Sequence, residues 1–282
     1  MNHSLETEHP ILRLRSWILK YTAVIRMTWV QSLEYRSNTV VGAFAILSGV
    51  LIEFLLWQRI FITRGVSEIN GFSFQELMIY IFFCLVVGQL KSSWVTSIEM
   101  IDAIRSGEMN KYLIRPISFF TYHFMLFIGY NSLFYLVYGT MIIGLAVIWP
   151  TWIFPQFWHV LGFLVTLIIS VYLSYAVYFT MVCAAFWFGE VRSLVIAYNL
   201  STLVLSGQMV PLAFFPENLQ RVISWTPLPY LVDIPVSIAT GKLPISQWGD
   251  AIITGCIWSV IMSMVSLGIY KIGIRYYEGY GG

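Results

Sequence analysis

Charge is scarce in this chain. Asp, Glu, Lys and Arg make up 11% of its residues, while 58% are hydrophobic and the mean hydropathy is +0.75. Soluble domains carry about 25% charge, so the composition excludes them and points to an integral membrane protein. Cysteine is scarce too. Cys84, Cys183 and Cys256 each fall inside an apolar run, without C-x-x-C spacing or a nearby pair of histidines. That pattern gives neither a disulfide framework nor a metal site, and the three read as small apolar core residues. His3, His9, His123 and His159 are scattered and form no ligand set. The glycine-rich phosphate loop, the H-E-x-x-H helix and the G-x-S-x-G elbow are all missing, which argues against a nucleotide hydrolase, a zinc protease or a serine hydrolase. No cleavable signal peptide is expected, because the first ten residues are polar and the first long apolar run starts late and lacks a small-residue cleavage site.

Long apolar runs are what the chain does have. Six are read as spans, at 38–61, 74–95, 119–148, 158–187, 193–211 and 250–272, each near the ~20 residues that cross ~30 Å of hydrocarbon. The expected fold class is all-α and polytopic, in a single transmembrane domain covering 1–282. The cations set the orientation. Arg13, Arg15, Lys20, Arg26, Arg36, Lys91, Arg105, Lys111, Arg115, Arg192, Lys271 and Arg275 fall on one side, and Arg59, Arg64, Arg221 and Lys242 on the other. The first side is expected to be cytoplasmic, with both termini inside.

Residues 11–31 carry Ile11, Leu14, Ile18, Tyr21 and Ile25 on one helical stripe, flanked by Arg13, Arg15, Lys20 and Arg26. This predicts a basic amphipathic helix in the inner interface, cations toward anionic headgroups. Between the second and third spans, Thr96–Pro116 forms a polar island. Thr96 and Glu99 fit a capping box, Ile98, Ile101 and Ile104 fall on one face, and Gly107 stands where a helix end wants a positive φ. A helix over 97–106 is expected, either as a connector on the lipid surface or as a docking element for a soluble partner. In the second case the isoleucines would fill a groove on that partner, with Asp102, Arg105 and Glu108 setting orientation at its rim. Residues 212–249 mix large apolar side chains with several prolines and are expected outside, either as an ordered cap or as short helices dipping into the outer leaflet. Among ionisable groups inside the spans Glu53 stands out as a possible intramembrane acid. Its place near Gln58 and Arg59 favours snorkelling to the outer interface.

Three stretches carry a family resemblance. LEYRSN at Leu33–Asn38, IRSGEMNKYLIRPIS at Ile104–Ser118 and LSGQMVPLAFFPENLQRVISWTPLPY at Leu205–Tyr230 resemble the permease subunits of type-2 (ABC-2) ATP-binding cassette exporters, and more closely a bacterial branch of six-span half-transporters. Asn110 stands where that pattern usually has Asp, which removes a charge. The resemblance implies an exporter permease with a cytoplasmic coupling helix made by Ile98, Ile101, Asp102, Ile104, Arg105, Gly107 and Glu108. It also implies external re-entrant helices, with Pro211, Phe215, Pro216, Trp225 and Pro227 as the external gate. The expected partners are cytoplasmic ATPase subunits, a second permease chain, identical or related, and membrane lipid, with no nucleic acid. The chain itself would be no enzyme and bind no cofactor, the ATP and Mg belonging to the ATPase in the bacterial plasma membrane complex. A carrier that works without ATP and a membrane assembly scaffold are the alternatives. The aromatic, uncharged spans lean toward an amphiphilic substrate.

Overall fold

The structure, a computed structural model, describes residues 10–34, 36–114, 117–149 and 153–277, with side chains from Ile18 onward. The side chains of Ile11, Arg13, Leu14 and Arg15, and residues Tyr35, Arg115, Pro116 and 150–152, lie outside the described residues.

The described chain is almost wholly helical: α1 (Pro10–Glu34), α2 (Arg36–Arg64), α3 (Phe74–Leu90), α4 (Trp94–Arg105), α5 (Asn110–Leu113), α6 (Phe119–Ile148), α7 (Phe157–Val182), α8 (Arg192–Leu205), α9 (Glu217–Ser224), α10 (Asp233–Ala239) and α11 (Trp248–Gly273). A two-stranded hairpin, β1 (Glu68–Ile69) and β2 (Phe72–Ser73), interrupts the pattern between α2 and α3. Asn70 and Gly71 both have positive φ at its tip, as a two-residue hairpin turn requires.

Among the described residues, five helical runs are long and apolar enough to cross a membrane: Arg36–Arg64, Phe74–Arg105, Phe119–Ile148, Phe157–Phe186 and Ile245–Gly273. The chain is therefore an all-α polytopic membrane protein. The expected span at 193–211 is shorter than its apolar run. The helix α8 has 14 residues, about 21 Å at 1.5 Å per residue, and ends at Leu205 because Gly207 turns the chain at φ 79°.

Helix starts follow local chemistry. Ser73 and Glu76 form the reciprocal capping box of α3, with the Ser73 N–H donating to the Glu76 carboxylate at 2.9 Å and the Glu76 N–H to Ser73 Oγ at 3.3 Å. The box expected at Thr96 and Glu99 does not form. The α4 helix starts earlier, at Trp94, so Thr96 already lies in its first turn and is buried, and Glu99 accepts from the Tyr130 hydroxyl at 3.1 Å instead.

The core divides into two clusters, one toward each end of the bundle. The first joins α3, the hairpin and α10 to parts of α2, α6 and α7, and the second joins α4 to α6, α7 and the start of α8, with Leu167 on α7 packed against both. The helices α3 and α7 are the buried axis. The helices α2, α6 and α11 turn most of their apolar surface outward, as helices facing lipid do.

The N-terminal helix α1 packs along α6. Tyr21 and Thr28 are buried in that contact, while Ile18 is 46% exposed and Lys20 and Arg26 are exposed. The two backbones close on each other at Gly129, where an added Cβ would lie 1.8 Å from Thr28 Oγ1. Gly129→Leu is therefore expected to dislodge α1, at a cost of about 1–3 kcal/mol. Limited trypsinolysis at Lys20 and Arg26 should speed up about tenfold while membrane insertion stays normal. An unchanged cleavage rate would contradict this packing.

Candidate coupling surface and external aromatic cluster

The apolar face of α4 is used inside the chain. Met100 and Ile101 are fully buried and Ile104 is 4% exposed, packed with Phe119, Phe120, Phe179, Val182, Val191 and Val195. This corrects the expectation that the isoleucine stripe fills a groove on a partner, since Ile101 and Ile104 are already covered; Ile98 is half-buried. Helical periodicity marked an apolar face correctly but could not say whether its cover was another chain or this one.

What α4 and the turn after it present outward is charge. Asp102, Arg105 and Glu108 are exposed. Asp102 pairs with Arg192 at 2.6 Å, tying α4 to the first residue of α8, and Glu108 pairs with Lys111 at 2.5 Å. Glu190, just before α8, accepts from the N–H and hydroxyl of Ser193, and those bonds hold its carboxyl below the usual range. Gly107 ends α4 at φ 81°, and the Met109 N–H reaches back to the Ala103 carbonyl at 3.0 Å. The end of α8 repeats this turn in both sequence and geometry. Ser106-Gly107-Glu108-Met109 matches Ser206-Gly207-Gln208-Met209, and the Met209 N–H bonds the Leu203 carbonyl at 2.9 Å.

At the opposite end the residues expected as a gate are unevenly buried. Pro211 is buried, Phe215 and Pro227 are half-buried, Pro216 is exposed and Trp225 is 80% exposed at the end of α9. The aromatic cluster forms around Phe214 instead, one residue away. Its ring contacts Trp57 at 5.4 Å and Phe72 at 5.7 Å, and Phe72 contacts Tyr80 at 5.6 Å. Glu53 joins through Trp57, whose Nε1 donates to it at 3.0 Å. That bond, rather than a reach toward Arg59, is where its carboxylate goes. Sequence position alone could not choose Phe214 over Phe215, because the turn Leu212–Phe214 is 3-10.

The segment beyond this turn is fixed by a half-buried acid that sequence reading passed over. Asp233, the first residue of α10, accepts from the Tyr80 hydroxyl at 2.5 Å, and its own N–H donates to the Ser206 carbonyl at 3.1 Å. Burial pushes its carboxyl up to about 6, against the opposite pull of the Tyr80 hydroxyl and the Leu212 N–H. Asp233 lies in the connecting segment between apolar runs, so hydropathy gave no reason to single it out. Cys84 donates weakly to the Gly207 carbonyl at 3.4 Å.

Polar bonds thus knit the short helix α8 and the proline-rich segment into a bundle of long spans. The family model for ABC-2 family transporter proteins matches residues 47–281. The chain belongs to that family. No curated protein matches it. ABC-2 permeases are membrane components of ATP-binding cassette transporters, lack the ATPase domain and generally partner with cytoplasmic ATPases. In this ABC-2 permease the matched stretch takes in α4, the charged surface around it and the whole external cluster.

Two tests follow. Ile101→Asp would bury an unpaired charge and is expected to cost several kcal/mol, so that folded yield in mild detergent collapses. Asp102→Ala, which breaks an exposed pair, should change stability by less than about 1 kcal/mol. Equal stability of the two variants would contradict the burial of Ile101. Asp233 gives a pH test. Its folded pKa lies above the ordinary value of 3.8, so the folded chain holds a proton that the unfolded chain releases. Its contribution is full below about pH 4 and is lost as pH rises through about 6, roughly 3 kcal/mol at 1.36 kcal/mol per pH unit. Asp233→Asn should flatten the melting temperature across pH 4–7, and an unaltered profile would contradict the assignment.

Proposed function

We propose that this chain is the permease half of an exporter, driven by a separate cytoplasmic ATPase that docks on the charged surface around α4. The observation that carries the reading is the two-sided character of α4. Its apolar face is locked onto α6, α7 and α8, and its polar face offers Asp102 and Arg105, with Glu108 just past the Gly107 turn, beside Arg192 and Glu190. A helix held this way passes a push from a partner directly into the span bundle, because its packed face cannot slide without moving α7. Charges at a rim set orientation and association rate more than affinity, which suits a partner that must dock in one register. The concentration of cations at the α4 end favours placing that end, with both termini, in the cytoplasm of a bacterial plasma membrane.

A second permease, identical or related, completes the pathway in this reading. The exposed apolar surfaces of α2 and α8, including Phe44, Leu47, Leu51, Leu200 and Val204, offer it a seat. ATP and Mg belong to the ATPase, since this chain has no phosphate loop.

The test reverses the rim. Asp102→Lys, Arg105→Glu and Glu108→Lys combined should leave insertion intact and lower recovery of the ATPase in a pull-down at least tenfold, with a matching loss of transport-coupled ATP hydrolysis. Full recovery of the ATPase by the triple variant would contradict docking at α4. Transport by the chain without any ATPase would favour a secondary carrier.

A further inference from the structure

A cavity of about 320 Å³ lies between α2, α3 and α8, and Lys91 lines it. Lys91 stands at the break between α3 and α4 and is 4% exposed. By its sequence position it counts among the orienting surface cations, but the fold takes it inside. Among the described residues it makes no ion pair, and no carboxylate lines this cavity. A cation withdrawn from water without a counter-charge is costly, and inside a membrane protein such a group marks a functional site by default.

The rest of the wall suits an anion. Gln89, Ser92, Asn199, Thr202 and Gln208 surround Lys91 with amides and hydroxyls. The Asn199 carboxamide oxygen is engaged by the Tyr178 hydroxyl, which leaves its amide N–H groups for a ligand. Gln208 is seated against Gly88, where an added Cβ would lie 2.2 Å from its Nε2, so the absence of a side chain there holds the amide in place. The α2 side of the wall is Gly42, Ala45 and Ile46, which is apolar. A neighbouring cavity of about 710 Å³ shares Gln89, Ser92 and Asn199 and runs on to Asn38, Thr96 and Glu99 near the α4 end.

We infer that this cavity binds the anionic headgroup, phosphate or carboxylate, of an amphiphile whose tail lies along the apolar α2 wall, with Lys91 as counter-charge. The inference takes its role in export from the permease reading above, but the binding itself needs neither ATPase nor transport. A headgroup at this level would meet the site near the α4 end.

The test is binding to the full chain in nanodiscs. Wild type and Lys91→Gln are compared by native mass spectrometry for phosphatidylglycerol retained against phosphatidylcholine, with and without 20-fold excess inorganic phosphate. Wild type should retain phosphatidylglycerol at least tenfold better than Lys91→Gln, and Lys91→Arg should recover most of the difference. Resistance to inorganic phosphate supports the lipid headgroup, whereas full displacement would leave a small phosphate-like anion as the occupant and overturn the amphiphile. Equal retention by wild type and Lys91→Gln in both arms would overturn it. If Lys91→Gln fails to insert, Asn199→Leu, which fills the cavity and keeps the cation, serves in its place, with the same tenfold loss expected and unchanged retention overturning the site. Wild type that recovers the ATPase normally but retains no more phosphatidylglycerol than Lys91→Gln would refute this inference alone, and wild type that retains phosphatidylglycerol but recovers no ATPase would refute the permease reading alone.

Discussion

Burial of Met100, Ile101 and Ile104 against α6, α7 and α8 is the contact on which the rest of this structure depends. It turns α4 from a loop helix into part of the core at one end of the bundle. The Asp102–Arg192 pair adds little stability because it is exposed, but it fixes which residue of α8 stands beside which residue of α4. The isoleucines supply the energy and the charges the register, and α4 is therefore free to meet a partner only through its polar edge. The turn at Gly107 then carries the chain toward α6 without loosening that face.

The other end is organised by a different kind of contact. A short helix such as α8 cannot cross ~30 Å alone, so the chain beyond it must satisfy its backbone inside the protein. Asp233 does this. Its carboxylate takes the Tyr80 hydroxyl and its N–H takes the Ser206 carbonyl, joining α3, the end of α8 and α10 at one point. The ring contacts of Trp57, Phe214, Phe72 and Tyr80 extend the same joint to α2. The short helix α8 and the proline-rich segment beyond it form one construction here, held by a half-buried acid and a run of edge-to-face rings.

Hydropathy and capping chemistry made most of the fold legible. Five of the six expected spans match helices long enough to cross, and Gly107 has the positive φ that its position demanded. The failures share a cause. Thr96 and Glu99 had the spacing of a capping box, but α4 started three residues earlier, at Trp94, and tertiary packing took Thr96 inside. Ile101 and Ile104 had the spacing of a recognition face, but the partner was α7. Lys91 counted as a surface cation and is buried, while Asp233 drew no attention and holds three elements together. Periodicity reports that a face is apolar and charge reports that a segment is polar; neither reports what lies opposite.

The rigidity of α4 is the central claim, and hydrogen exchange of the chain in nanodiscs tests it most directly. The amides of residues 100–105 should exchange as slowly as those in the buried middle of α7 and far more slowly than those of the exposed helix α9. Exchange of residues 100–105 as fast as that of α9 would mean that α4 is a surface connector, and would contradict the account.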